Sequence, residues 1–384
     1  MNVSAAAPRQ PLAAWLPIVV LGVGAGCISG LQPLLLDLLL KAGKLDVAAM
    51  GLAATAEAAG MAIAVTLAAL CLPLQNLRKW ALLALCAMAL ANTGTIFGSG
   101  GAIIALRFLN GLGAGVLLWV LVGMLARAPD PARLFAIYVT AQSVLGLCLS
   151  QAISGLVAPD FGHVGAYGLL LGLNALMLLA VPAMVDGFDA AAQGSRGLPG
   201  LRAVIVLLAM TAFLAGIMGL WVYLLPLLGA GGFAPDTAAS AVSVGLAAQI
   251  AGGLLAALVG AHIGARTAWI AGIALAIGAI ALMNGGGSAF LMLAGAALFG
   301  FVWIFVPPFH MPAVLAVDPS GRGAMLVGTA QLSGTVIGPL VAAPVVTAQG
   351  VSAVWTLSAA WLALSLALLA AAQFHKTPEE RIPS

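Results

Sequence analysis

The chain repeats one hydrophobic phrase, in the same order, in each of its halves, and this restricts it to folds built from two like bodies. Gly30-Leu31 followed by Leu35-Leu36-x-Leu38-Leu39 returns as Gly219-Leu220 followed by Leu224-Leu225-x-Leu227-Leu228. Gly51-Leu52-Ala53-Ala54 returns as Gly245-Leu246-Ala247-Ala248, and Thr140-Ala141-Gln142 as Thr329-Ala330-Gln331. Asp130-Pro131-x-Arg133 comes back as Asp318-Pro319-x-x-Arg322. The alphabet is nearly all apolar, with 63% hydrophobic and 7% charged residues and a mean hydropathy of +1.16. No water-soluble fold hides that much apolar surface. Repeated halves in a membrane chain commonly set a substrate site near the midplane, between two bodies that rock against each other. Transport is therefore the function class to which the repeat points.

A transmembrane helix needs about 20 mostly apolar residues. Twelve such stretches fall near 13–40, 47–71, 80–98, 101–125, 134–157, 165–185, 202–228, 236–260, 266–286, 288–312, 324–348 and 351–373. The sequence thus predicts an all-α polytopic membrane protein with twelve transmembrane helices in two pseudo-symmetric six-helix halves. Residues 1–185 form the first half, 186–201 a cytoplasmic linker, and 202–384 the second half with a short cytoplasmic tail. Asp186, Asp189, Gly194, Ser195, Arg196 and Pro199 mark the linker. The first stretch is too long for a cleaved signal peptide, so it is expected in the mature chain. With the N-terminus inside, Arg9, Arg78, Lys79, Arg127, Arg133, Arg196, Arg202, Arg266, Arg322, Lys376 and Arg381 are all cytoplasmic, and only Lys41 and Lys44 face out. Both termini are accordingly expected inside, with the protein a multi-pass component of the plasma (inner) membrane. Cys27, Cys71, Cys86 and Cys148 lie in apolar runs without metal-ligand spacing and read as packing residues.

Small residues recur at four-residue spacing in several spans: Gly22, Gly26 and Gly30 in the first, Gly111 and Gly115 in the fourth, Gly334 and Gly338 in the eleventh. That spacing puts them on one helix face and lets backbones approach closely. The third and twelfth spans carry no charge and are expected to face lipid on most sides. The fourth span reads Ile103-x-x-x-Arg107-x-x-x-Gly111-x-Gly113-x-Gly115, and the eleventh Gly334-Thr335-Val336-Ile337-Gly338-Pro339. Over its whole length the chain resembles the major facilitator superfamily: the fourth-span motif is similar to that of its proton-coupled drug-antiporter branch, and the eleventh-span motif resembles the glycine-proline pattern of family helices five and eleven. The resemblance implies a role for Arg107 in proton transfer and a central path lined by spans 1, 4, 7 and 10. The fifth span departs from the pattern, with Gln142, Gly146 and Gln151 where the branch has a Gly-Pro pair. So does the loop after the second span, with Leu74 in place of the family's aspartate before Arg78 and Lys79; the second copy, His262 to Arg266, is also degenerate. Arg78, Asp130, Arg133, Arg266, Asp318 and Arg322 are the candidates for a cytoplasmic gate, or else are solvated loop charges.

Three ionisable residues fall inside spans, where charge is costly and functional by default: Asp37, Glu57 and Arg107. All belong to the first half. Pro226, Gln249 and, by simple offset, Ala296 occupy the matching positions of the second. Burial disfavours the charged form of a carboxylate and a nearby arginine favours it, so alternating exposure of Glu57 would alternate its hold on a proton. Glu57, Arg107 and Asp37 are therefore the proton-coupling candidates. A permanent buried ion pair of Arg107 with Asp37 or Glu57 is the competing reading. Gln32, Asn110, Trp119, Trp221, Tyr223, Trp303 and His310, with the symmetric Gln142 and Gln331, are the substrate-binding candidates. For His310, beside Pro307, Pro308 and Pro312, a hydrogen-bonded structural role stands against this. The set is too poor in amides and carboxylates for a sugar, and fits a small amphipathic or lipophilic molecule.

The function expected is thus a secondary active transporter working by alternating access, with proton-coupled efflux as the main reading. Uptake of a small organic anion, with Arg107 binding its carboxylate, is the alternative. An intramembrane enzyme would need a catalytic constellation, and the chain has no His-Glu-x-x-His, no Gly-x-Ser-x-Gly and no matched membrane aspartates. A receptor on the same fold is the remaining alternative. No ATP-binding motif is present, so the energy must come from an ion gradient or from the substrate itself. The expected partners are the substrate, protons and the bilayer. No cofactor, metal or nucleic acid is expected, and the chain reads as a monomer.

Overall fold

The computed structural model describes residues 15–125, 127, 131–188, 198–260, 262–285 and 287–374, with the backbone alone for 131–133, 136, 373 and 374. In a chain this apolar, each N–H and C=O in the hydrocarbon must be satisfied within its own segment, and a helix does so. The first half contains α1 (Leu16–Gly26), α2 (Ile28–Lys41), α3 (Val47–Cys71), α4 (Leu77–Phe97), α5 (Gly101–Leu125), α6 (Pro131–Ala152) and α7 (Ala158–Ala180). The second contains α8 (Leu201–Val222), α9 (Leu224–Ala230), α10 (Pro235–Val259), α11 (Ala265–Asn284), α12 (Ala289–Phe305), α13 (His310–Leu315), α14 (Val327–Gln349) and α15 (Ala353–Phe374). Local chemistry starts several of them. Asp46 caps α3 by accepting from the Ala49 N–H at 2.7 Å, and Pro235 opens α10, where its missing N–H costs nothing.

Among the described residues, eleven helical stretches are long and apolar enough to cross a bilayer. One of them, Ile137–Ala183, has 47 residues, about 70 Å of helix and more than twice the hydrocarbon thickness. It passes through a π-helical turn at Ile153–Val157 and reverses at Gly162, whose φ of 53° suits glycine. Counted as two, it brings the spans to twelve. Three spans expected to be continuous are interrupted. The first breaks between α1 and α2 at Cys27. The seventh breaks between α8 and α9 at Tyr223, three residues before Pro226. The tenth breaks at Pro307–Phe309, where the prolines withhold N–H donors.

The loops gather at two ends. At one, Lys44 Nζ donates to the Gly98 carbonyl at 2.9 Å, and this end is termed the lysine face. At the other, Arg78 Nε donates to the Met184 carbonyl at 2.9 Å, defining the arginine face. One continuous hydrophobic core runs through the second half and into the lysine-face part of the first, including Leu31, Leu36 and Tyr167. A separate core, with Ile18, Leu85, Leu121 and Met184, fills the arginine-face part of the first half. Among the described residues, Leu332 alone of the second half packs against it. The hydrogen bonds between halves agree with this division. Trp221 Nε1 donates to the Gly30 carbonyl at 3.2 Å, the Tyr223 hydroxyl to Ala48 at 3.4 Å, and Ser150 Oγ meets Ser243 Oγ at 2.9 Å. Nearer the midplane, Ser143 Oγ donates to Gln249 Oε1 at 3.2 Å. The halves are therefore joined from the midplane to the lysine face, and their cores separate toward the arginine face.

Candidate functional site

Glycines on α3 and α5 bring the polar residues of the first half together. A Cβ at Gly60 would strike the Phe108 carbonyl, one at Gly111 the Glu57 carbonyl, and one at Gly115 the Met61 carbonyl. The two backbones thus touch, and the neighbours of Gly111 are carried onto Glu57. Asn110 Nδ2 donates to Glu57 Oε1 at 2.6 Å. From α2, Gln32 Nε2 reaches Glu57 Oε2 at 3.5 Å, the limit of a hydrogen bond. Arg107 Nη1 stands 3.6 Å from Glu57 Oε1, an ion pair without a hydrogen bond. The Arg107 hydrogen bonds go elsewhere, from Nη2 to Asn92 Oδ1 at 2.9 Å and to Thr95 Oγ1 at 2.8 Å. Its guanidinium also lies over the Tyr167 ring, 5.0 Å from the centroid.

Glu57 and Arg107 are 3% and 1% exposed, deep enough that their Coulomb attraction is little screened. The mounting of the two is separable. Glu57 is held by amides and by charge, Arg107 by neutral oxygens and an aromatic face. Protonating Glu57 would remove the attraction between them while leaving both Arg107 hydrogen bonds intact. Gln32 Oε1, Asn110 Oδ1, Arg107 Nε and the Tyr167 hydroxyl have no hydrogen-bond partner among the described residues, so the cluster keeps unused donors and acceptors.

Asp37 stands apart from this cluster. Its Oδ2 pairs with Lys41 Nζ at 2.8 Å, one helical turn away toward the lysine face. Trp221, Tyr223 and Trp303 occupy the seam between halves. Trp221 and Tyr223 are fully buried there, bonded to the backbone of the first half, and Trp303 packs edge-on to Trp221 at 5.3 Å. Trp119 lies within the separate core of the first half. Gln142 and Tyr138 pack where a Cβ on Gly26 would go. His310 is fully buried and meets Gln331 Nε2 through Nδ1 at 3.1 Å. Trp269 and Phe213 enclose its ring at centroid distances of 4.4 and 5.7 Å.

On the arginine face, Arg78 acts within its own half. Its backbone N–H donates to Asp186 Oδ1 at 2.9 Å, and together with Phe188 N to Leu74 O at 2.8 Å this fastens the end of span six to the start of span three. Residues 184–188, placed by the sequence around the linker boundary, are thus an ordered strap. Asp318 closes its own loop by accepting from Ser320 Oγ and N and, at 2.7 Å, from Gly323 N. These bonds, Ser320 Oγ first, hold its carboxyl below the ordinary carboxylate range. Arg322 follows in that loop and Arg266 opens α11. Asp130 lies outside the described residues, and Arg133 is described by its backbone alone.

Asn92, Thr95 and Tyr167 were not among the sequence candidates. Asn92 and Thr95 are buried on one face of α4, most of whose apolar stretch is not buried, as expected of a span that faces lipid on most sides, and Tyr167 is buried on α7. The twelfth span likewise leaves most of its surface unburied, while on its inner face buried Ser358 and Ser365 donate to the Gly216 and Ala209 carbonyls of α8. The only sequence signal for α4 is the three-residue spacing of Asn92 and Thr95 on one face. Structure also shifts one symmetry assignment. Gly252 meets the Phe301 carbonyl as Gly60 meets that of Phe108, and in that register Gly300, not Ala296, stands where the first half has Arg107. Gln249 still matches Glu57, so the second half has an amide and a glycine in place of the acid and the base.

No family model matches the chain, and no curated protein matches it. Among solved structures, the nucleoside transporter NupG superposes with a TM-score of 0.73 at 15% identity, over 95% of this chain and 100% of that one. The human organic anion transporter MFSD10 (TETRAN) does so with a TM-score of 0.65 at 18% identity, over 94% and 100%. The chain therefore has the twelve-helix fold of major facilitator transporters.

Proposed function

From that fold we propose that the protein is a proton-coupled secondary active transporter, exporting a small amphipathic or lipophilic molecule by alternating access. The observation that carries the reading is the separable mounting of Glu57 and Arg107 in one of two like halves. A carboxylate whose one charged neighbour among the described residues has its own neutral partners can gain and lose a proton without dismantling the site. The second half, with Gln249 and Gly300 at the matching places, supplies shape and aromatic surface. The positive-inside rule makes the arginine face cytoplasmic, so the separation of cores there is consistent with a conformer open to the cell interior. Rocking would close that face and part the Trp221–Gly30 and Tyr223–Ala48 contacts. We read the protein as a monomer of the plasma membrane with both termini inside.

Reconstitution in liposomes with an imposed proton gradient tests this. Glu57→Gln keeps shape and hydrogen bonding but cannot ionise. It should abolish gradient-driven accumulation of a lipophilic probe such as tetraphenylphosphonium while sparing its binding. Full proton-driven transport by this variant refutes the assignment.

Uptake of an organic anion is the second reading, favoured by Arg107 Nε, which lacks a hydrogen-bond partner among the described residues, and by the fold shared with MFSD10. It predicts the opposite sign in a binding assay. Removing the Glu57 charge frees Arg107 and should tighten benzoate binding, whereas the proton-coupled reading expects no gain.

A further inference from the structure

The two oxygens of the Glu57 carboxyl are unlike. Oε1 accepts from Asn110 Nδ2 at 2.6 Å and faces Arg107 Nη1 at 3.6 Å. Oε2 has one partner among the described residues, the Gln32 amide, whose Nε2 stands at the limit of a hydrogen bond at 3.5 Å. A proton placed on Oε1 would confront an amide N–H and a guanidinium, neither of which accepts a hydrogen bond. Oε2 is the oxygen free to take it.

Once protonated, Oε2 becomes a donor and needs an acceptor, since a buried O–H left alone is costly. Gln32 holds one. The residue is 4% exposed, and its Oε1 has no hydrogen-bond partner among the described residues. A half-turn of the amide exchanges Nε2 for Oε1 with no change of shape, so one side chain can donate to the carboxylate and accept from the carboxylic acid. Asn110 Oδ1 is also without a partner, but its amide is committed to Oε1 by the short bond. Arg107, Tyr167 and Cys27 are the other titratable groups among the described residues close enough to feel the Glu57 charge, and none takes this part. Arg107 has donors alone, the Tyr167 hydroxyl reaches no hydrogen-bond partner, and Cys27 Sγ is turned to the Gly24 carbonyl at 3.3 Å.

We infer that Gln32 is the positioning residue of the proton site: its amide donates to Glu57 Oε2 in the carboxylate and turns to accept the Oε2–H of the acid. The step adds one proton to Oε2 and breaks no covalent bond. It rests on the reading of Glu57 as the proton carrier, and it moves Gln32 from the substrate candidates to the proton site. Gln32 also lies on α2 two residues after Gly30, whose carbonyl accepts from Trp221 of the second half. The amide that follows the proton thus sits on a segment bonded across the seam.

The test is infrared difference spectroscopy on the full chain in liposomes, perfused alternately with acid and alkaline buffer, which needs neither a substrate nor a direction of transport. The carboxylic-acid carbonyl band of Glu57 is the one that Glu57→Gln removes. Gln32→Leu fills similar space with no polar atom and should move that band to higher frequency, because an O–H that donates weakens its own C=O. Gly172→Ala, away from the cluster, should leave the band where the parent has it. The parent should also show a side-chain amide band pair, identified with glutamine labelled by nitrogen-15 at the amide, that disappears in both Glu57→Gln and Gln32→Leu. A change of packing alone would not produce that pair. A Glu57 band that Gln32→Leu leaves in place, or a parent spectrum without the amide pair, overturns the inference and keeps Glu57 as the proton site. Absence of any Glu57-dependent band in acid removes Glu57 as the proton site, and the inference with it.

Discussion

Arg107 is the residue whose loss should cost the most structurally, because its charge is what accompanies Glu57 in the membrane interior. Arg107→Ala leaves a buried carboxylate beside hydrogen-bond acceptors meant for a cation, and breaking a buried pair typically costs about 3–5 kcal/mol. The thermal midpoint of the purified protein should fall accordingly. The double change Glu57→Gln with Arg107→Gln separates stability from coupling. It should recover much of the lost stability and still fail to accumulate substrate against a proton gradient. Recovered accumulation would instead mark the pair as a structural element only. Asp318 makes a second prediction at this scale, outside the membrane. Its carboxyl is held below the ordinary value of 3.8 by hydrogen bonds from Ser320 and Gly323. The contribution to the 318–323 loop is thus complete above that value and lost as the pH falls through the lowered folded-state value. Asp318→Asn should speed exchange of the Ser320 and Gly323 amides at pH 7, and the difference from the parent should shrink in acid below 3.8. An equal difference at all pH values would contradict this.

Between elements, glycine contacts set distances that side chains then use. At Gly111 a Cβ would overlap the Glu57 carbonyl, so Gly111→Ala must push α3 from α5 and separate Asn110 from Glu57. A loss of about 1–3 kcal/mol is expected, as for overpacking in general, together with weaker coupling. Gly172 of α7 has nothing within 4 Å of the corresponding position. Gly172→Ala should be neutral or stabilise by about 0.5–1 kcal/mol through helix propensity. Equal behaviour of the two variants in thermal unfolding would remove the argument. The breaks at Cys27, Tyr223 and Pro307–Phe309 belong to the same scale. They leave short segments, α2, α9 and α13, that can reorient without unwinding a whole span.

For the molecule as a whole, the division of the core dictates where motion has to occur. The Ser150–Ser243 contact lies near the lysine face, where the halves share one core. Ser150→Cys with Ser243→Cys should cross-link on oxidation and hold that face shut. Transport should stop on oxidation and return on reduction, and full transport by the cross-linked protein would show that this seam need not open. If the arginine face is the open one, a membrane-impermeant thiol reagent should still enter from that side after cross-linking.

The sequence by itself determined the class of fold, the spans and the two-fold repetition, because apolar run length and backbone satisfaction in lipid leave a chain few options. It also singled out Glu57 and Arg107, since a charge in such a run is visible as an exception. It could not place Asn92, Thr95 and Tyr167 around Arg107, because neutral polar residues are tolerated on any helix face and only packing selects which face is inward. Nor could it tell that Asp37 would pair with Lys41, a neighbour at a helix end, while Glu57 found Arg107. The pairing of Glu57 with Arg107 depends on the backbone contacts at Gly60, Gly111 and Gly115, which fix rotation and register between α3 and α5. The sharing of one core at the lysine face was decided in the same way, by tertiary contacts between segments far apart in the chain.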